Sequence, residues 1–182
     1  MGRGVCELIL ICPHNLSDPL AEMAKAHSFK ITLSNNVTES EGLDFVLKSS
    51  PDLFHPDVIG RKNLLKLFGL ETSYLRAFDA IRISGVNPIG DALEIDSPKN
   101  ITLIELKTTK KRLPDNPYGF FFGATENEFN IARILGKQFN FAFVCLHPDC
   151  PSVKFLTLQE IELLSKKQRV QFQINFHKRP KS

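Results

Sequence analysis

The sequence predicts an α/β domain in which a central mixed β-sheet is flanked by helices. Three observations carry that expectation. Arg76–Ser84 and Ile101–Thr108 alternate with the period-two pattern of strands, separated by turn-forming residues. Thr125–Gly136 has helical periodicity between a start and a stop signal. Phe139–Leu146 is a continuous apolar run of strand length, which suits a strand buried on both faces. Strands and helices that alternate along a chain are the ingredients of helices layered on a sheet.

At 182 residues the chain is long enough for one domain with a real core and short for two. Apolar residues at 42% and charged residues at 24% place it among ordinary globular proteins. Fifteen Phe with no Trp and two Tyr predict a core filled by phenyl rings. No apolar run approaches the roughly 18 residues of a membrane-spanning helix. The net charge of +3 permits nucleic-acid binding through local patches without arguing for it. Four cysteines without an export signal predict reduced thiols and a cytoplasmic, intracellular chain.

Met1–Cys12 starts like a signal peptide, but Glu7 interrupts its apolar run and no small-residue cleavage site follows, so residues 5–12 read as a strand ended by Pro13. Residues 15–27 read as a helix, with Ser17 or Asp18 as cap and Pro19 in the first turn. Lys30–Ser34 is a short strand candidate. The polar stretch 34–52 reads as a connection with at most one short element at Leu43–Leu47. His55–Gly69 predicts a helix with Val58, Leu64, Leu65 and Phe68 on its apolar side and Gly69 as its stop. Three strands then form a meander: Arg76–Ser84, Ala92–Ile95 and Ile101–Thr108.

Lys110–Tyr118 is a basic, proline-containing loop. In the helix that follows, Thr125 and Glu128 have capping-box spacing, Phe129, Ala132 and Leu135 make an apolar stripe, and Gly136 closes it. Thr157 and Glu160 repeat the capping box at a last helix, and Val170–Phe176 alternates as a closing strand. The whole chain, 1–182, therefore reads as a single domain with its core at roughly 56–146, an N-terminal extension at 1–55 and a C-terminal helix and strand at 147–182.

The chemistry concentrates at Ile104-Glu105-Leu106-Lys107. Alternation puts Glu105 and Lys107 on one face, about 7 Å apart along the strand. Asp79 precedes Glu105 by 26 positions, and if their strands are neighbours the two acids meet at one end of the sheet. Paired carboxylates repel unless a cation lies between them. A hard divalent ion such as Mg2+ fits, because it takes one or two carboxylates, waters and phosphate oxygens. Such an ion lowers the pKa of bound water and stabilises charge on a phosphoryl group, while Lys107 would position or help deprotonate the attacking water, or neutralise the pentavalent, phosphorane-like state.

A strand bearing Asp79, a turn, Glu105-Leu106-Lys107, then a helix and an apolar strand resembles the PD-(D/E)XK nuclease superfamily, the restriction-endonuclease-like fold, over residues 56–146. Phe120–Ala132 is also similar to the helix start of some restriction-type nuclease domains. Phe78 stands where the motif has Pro. The resemblance implies an αβββαβ core and a Mg2+-dependent DNA endonuclease in which Mn2+ can substitute. It also implies metal ligation by Asp79, Glu105 and the Leu106 backbone carbonyl, catalysis by Lys107, and an accessory role for Glu128, or less so Glu126. DNA would be the partner, held through Lys110, Lys111 and Arg112, and the enzyme would act as a homodimer. The alternative implied by the same fold is a catalytically inactive nucleic-acid-binding or assembly protein.

Blander readings compete at each position. Glu105 and Lys107 can be a surface ion pair, Glu128 a cap, and Lys110–Arg112 a solvated loop. Cys12, His14, Cys145, His147 and Cys150 hold enough sulfur and imidazole for zinc, but lack the Cys-x2-Cys spacing of a structural site.

Overall fold

A five-stranded mixed sheet forms the centre of the fold, as the alternation of elements predicts. The computed structural model describes residues 37–85 and 97–168, and those from Thr38 onward belong to one compact unit. The elements expected at 5–12, 15–27, Lys30–Ser34, Ala92–Ile95 and Val170–Phe176 lie outside the described residues. In chain order the strands are β1 (Leu53–Phe54), β2 (Ala80–Ile83), β3 (Ile101–Thr109), β4 (Phe139–Cys145) and β5 (Ser152–Leu156), and they stand in that same order across the sheet. β1–β2, β2–β3 and β4–β5 are antiparallel, whereas β3–β4 is parallel. The parallel pair needs a crossover, which helix α3 (Glu126–Leu135) supplies.

Helices cover both faces. Helix α2 (Val58–Leu67), α3 and α4 (Leu158–Leu164) bury Leu64, Leu65, Ile131, Ala132, Leu158 and Ile161 against one face. That face is built from Ile81, Ile83, Ile101, Leu103 and the phenyl ladder Phe139, Phe141 and Phe143. Phe120 and Phe122 meet Phe143 edge-on, with ring centroids 5.0 and 4.9 Å apart. Edge-to-face contact suits the ring quadrupoles, so a core rich in Phe gains more than its buried area alone.

The opposite face carries Ala80, Ile104, Leu106, Ala142 and Val144, and residues 37–49 lie on it as helix α1. This corrects the reading of 34–52 as a connection with at most a short element at Leu43–Leu47. Glu39, Ser40, Glu41 and Asp44 are exposed, while Gly42 and Val46 are buried. The sheet supplies the packing partner that a weak helix former needs, and local composition does not show it. Gly42 sits directly against β3: a Cβ there would meet Thr108 Oγ1, and would come within 2.9 Å of its Cγ2 and 3.1 Å of its Cβ.

Other departures are local. Val58 is 60% exposed, so the apolar side of α2 is carried by Leu64 and Leu65. β2 begins at Ala80 and not at Arg76, because a 3-10 helix at Thr72–Tyr74 runs into a turn at residues 75–76 and the ladder with β3 starts at Ala80, which leaves Asp79 one residue before the strand. The stripe of α3 centres on Ile131 and Ala132, with Phe129 and Leu135 only half-buried. β1 and β5 carry no distinct signal; both are short and are stabilised by the strand beside them. Gly69 and Gly136 do end their helices, at φ of 67° and 54°.

Replacing Gly42 by Ala gains about 1 kcal/mol of helix propensity, but overpacking costs about 1–3 kcal/mol, at the upper end here because a β-branched Thr cannot rotate away. We therefore expect Gly42→Ala to destabilise the protein by about 1 kcal/mol or more in urea denaturation. Adding Thr108→Ala is expected to restore most of that loss; strictly additive effects would refute the contact.

Candidate active site

The end of β2 is held from several sides. The β2–β3 ladder ends at the pairing of Ala80 with Ile104, and Asp79 stands one residue beyond it, close enough for its charge to act on Glu105. Asp79 N–H donates to the Ile104 carbonyl at 2.8 Å, and Asp79 Oδ2 accepts the Leu106 N–H at 3.0 Å. The carbonyls just before β2 have other partners. Arg61 Nη1 donates to the Phe78 carbonyl at 2.6 Å, and Arg61 Nη2 and His55 Nδ1 lie 3.4 and 2.7 Å from the Asp79 carbonyl oxygen. Buried backbone groups need such partners, so Arg61 and His55 fix where the Asp79 side chain emerges. Sequence reasoning missed both, because an Arg that binds carbonyls through tertiary contact has no local signature.

Glu105 and Lys107 share the face of Leu103, beneath α2, α3 and α4, while Ile104 and Leu106 point to α1. Lys107 Nζ lies 2.9 Å from Glu105 Oε1 and 2.7 Å from Glu128 Oε2. Glu105 is 7% exposed and Glu128 5%. This is no surface ion pair. The expected capping box at α3 is half made: Thr125 Oγ1 accepts the Glu128 N–H at 3.3 Å, but the Glu128 carboxylate is turned to Lys107. At α4 both arms close, with Glu160 N–H on Thr157 Oγ1 and Thr157 N–H on Glu160 Oε2. The difference is burial: a largely buried ammonium demands a second acceptor, and a charge-assisted bond to it outweighs an exposed cap.

Leu106 donates its N–H toward Asp79, and in an extended strand the N–H and C=O of one residue face the same neighbour. Its carbonyl is therefore on the Asp79 side. Glu126 is exposed in the first turn of α3. Lys110 pairs with Glu41 at 2.6 Å, and Arg112 lies 3.7 Å from Asp149, so two of the three basic loop residues already have carboxylate partners. A cavity of about 690 Å3 lined by Lys62, Lys66, Leu70 and Glu71 is formed by other residues than the cluster.

Electrostatically the cluster is short of positive charge. Burial, and after it the charge of Asp79, pushes the Glu105 carboxyl up to about 9, with the Lys107 ammonium pulling the other way. For Lys107, burial acts to lower the pKa, but the charges of Glu105 and Glu128 and their hydrogen bonds outweigh it and hold it above its ordinary value. One ammonium serves two acids, Glu105 and Glu128, and the charge of Asp79 acts on Glu105 as well. Glu105 Oε2 is buried without a hydrogen-bond partner.

An unpaired buried carboxylate oxygen on an acid that feels the charge of a second one fits Mg2+, which accepts all-oxygen sites with one or two protein carboxylates. Among the described residues no group of three or more His, Cys, Asp or Glu is placed to hold a metal, so a cation here would rest on Asp79 and Glu105 with water or phosphate oxygens. For the zinc reading, Cys12 and His14 lie outside the described residues. Cys145 and Cys150 have sulfurs 3.9 Å apart, and His147 Nδ1 accepts the Asp149 N–H at 3.2 Å.

No family model, curated protein or solved structure matches the chain significantly. Among the described residues no helix is long and apolar enough to cross a membrane.

The Glu105 shift fixes a pH dependence. A carboxyl with its folded pKa raised from 4.5 to about 9 binds a proton in the folded state that the unfolded chain has lost. Its stabilising contribution is complete below about pH 4.5 and disappears as pH rises through about 9. In metal-free buffer, urea-denaturation stability is expected to fall across that window by up to about 1.4 kcal/mol per pH unit, and Glu105→Gln to flatten the slope. A slope unchanged by Glu105→Gln would assign the effect elsewhere.

Proposed function

We propose that the chain is a divalent-metal-dependent endonuclease that hydrolyses DNA phosphodiester bonds. The observation that supports it best is the clustering of Glu105, Lys107 and Glu128, with the charge of Asp79 acting on Glu105, whose second oxygen is buried without a partner. Asp79 and Glu105, with the Leu106 carbonyl as a further donor, would hold Mg2+, or Mn2+ in its place. Bound there, the ion would supply an activated water and a Lewis acid for the phosphoryl oxygens.

The protein's own groups divide the remaining work. Lys107 keeps its proton at neutral pH, so in this reading it stabilises charge on the phosphoryl oxygens and does not act as the base. Glu128 anchors Lys107 from α3. Arg61 and His55 set Asp79 through its backbone. Lys110, Lys111 and Arg112 are the candidate phosphate contacts, and their contribution would weaken steeply with salt. A homodimer would bring two such sites to the two strands of a duplex.

A second reading keeps the fold and drops the turnover, leaving a nucleic-acid-binding or assembly protein. It has one observation in its favour: Lys107 already has two carboxylate partners.

Plasmid cleavage with and without Mg2+ separates the two readings. Asp79→Asn retains an oxygen for the Leu106 N–H while removing the charge. It and Lys107→Ala are each expected to cut cleavage at least about a hundredfold, Asp79→Asn with a near-native melting temperature and Lys107→Ala with a lower one, because it leaves Glu105 and Glu128 without their cation. Metal-dependent nicking that survives both would defeat the endonuclease proposal, whereas DNA binding without any cleavage by the native chain would favour the second reading.

Glu128 gives a finer test. Glu128→Gln leaves Lys107 an acceptor, so its turnover is expected within about tenfold of native. Glu128→Ala lets the ammonium move and is expected to cost about a further tenfold, by the steep dependence of rate on position. Equal turnover in the two variants would show that Glu128 does not position Lys107.

A further inference from the structure

The turn between β4 and β5 holds two thiols that the candidate active site does not use. Cys145 is the last residue of β4 and fully buried; Cys150 is half-buried, five residues on, just before β5. Their sulfurs are 3.9 Å apart. The turn is held by the Cys150 N–H donating to the His147 carbonyl at 3.0 Å, and it contains Pro148 and Pro151, which restrict its backbone. The two cysteines thus face each other without any covalent or metal link in the described residues.

We propose that Cys145 and Cys150 are a thiol–disulfide modification site, oxidised by a low-molecular-weight disulfide such as glutathione disulfide. The half-buried Cys150 is the group such a reagent can reach. Its thiolate attacks one sulfur of the small disulfide, breaking that bond, forming a mixed disulfide and releasing one small thiol. Cys145 Sγ then attacks Cys150 Sγ and releases the second small thiol. Two electrons pass to the small disulfide, and the two protons of the protein thiols leave with the released thiols. A disulfide bond is about 2.05 Å long, so the sulfurs must close by roughly 2 Å, which a side-chain rotation at the half-buried Cys150 can supply.

The site is wired to the basic loop. Cys145 S–H donates to the Lys111 carbonyl at 3.3 Å, and oxidation removes that donor. Asp149, in the same turn, faces Arg112, and Asn116 of the loop donates to the Phe143 carbonyl at 2.8 Å and to Ser152 Oγ at 3.2 Å. Closing the thiol pair therefore alters the support of the segment that carries Lys110, Lys111 and Arg112. None of this depends on the endonuclease reading.

Both cysteines fall between Lys137 and Lys154, so one tryptic peptide reports on both. The full chain is equilibrated in buffers of graded oxidised-to-reduced glutathione ratio, quenched with acid, alkylated, digested and weighed. The expected product at oxidising ratios is this peptide lighter by two hydrogens and carrying no alkyl group, restored to two alkylations by excess reduced glutathione. Cys150→Ser is expected to abolish the looped peptide and leave Cys145 free. Two alkylations at every ratio, a glutathione adduct that persists on Cys150, linkage to Cys6 or Cys12, or stoichiometric zinc shielding both thiols would each overturn the proposal.

Discussion

Lys107, in the second half of β3 and beside Phe143 of β4, finds Glu105 on its own strand and Glu128 on helix α3. A largely buried cation is tolerable only when paired and hydrogen-bonded, and removing one partner of such a pair typically costs about 3–5 kcal/mol. The strand and the first turn of α3 are therefore tied at one point, and the crossover from β3 to β4 is tied with them. Phe141 and Phe143, the β4 neighbours of Glu105 and Lys107, keep water away from that point. Apolar packing and charge pairing reinforce each other there: the rings raise the cost of an unpaired charge, and the pairing justifies burying it.

The same burial leaves the cluster electrically incomplete. Asp79, just beyond the β2–β3 ladder, has its backbone held by Arg61 and His55 and one oxygen by the Leu106 N–H, and its charge acts on Glu105. Those contacts keep a carboxylate where another carboxylate already stands. Proteins meet such repulsion by protonating one acid or by admitting a cation, and the orphaned Glu105 Oε2 marks where either would act. That imbalance is the strongest physical ground for the metal-dependent reading.

Much of the fold was legible because its signals are local. The alternation in Ile101–Thr108, the apolar run from Phe139, the N-cap Thr125 and the stop residues Gly69 and Gly136 act through backbone geometry and burial pattern, which a short window contains. Helix α1 was not legible. Its apolar residues are few, and it is stabilised by contact with Ile104, Leu106 and Val144, which lie far along the chain. Glu128 misled for a related reason: the spacing from Thr125 suits a cap, and only the arrival of Lys107 from β3 redirects its carboxylate.

By itself the sequence determined an α/β domain with a mixed sheet and the common face of Glu105 and Lys107, because strand alternation is a property of the backbone alone; Asp79, expected on the preceding strand, stands one residue before it. Tertiary structure alone decided that β2 and β3 are direct neighbours, that the charge of Asp79 acts on Glu105, that Lys107 is largely covered, that Glu128 reaches it, and that Arg61 and His55 meet the Asp79 carbonyl. These depend on register and crossover packing, which join residues separated by tens of positions. No periodicity in one segment can encode the charge that another segment brings to it.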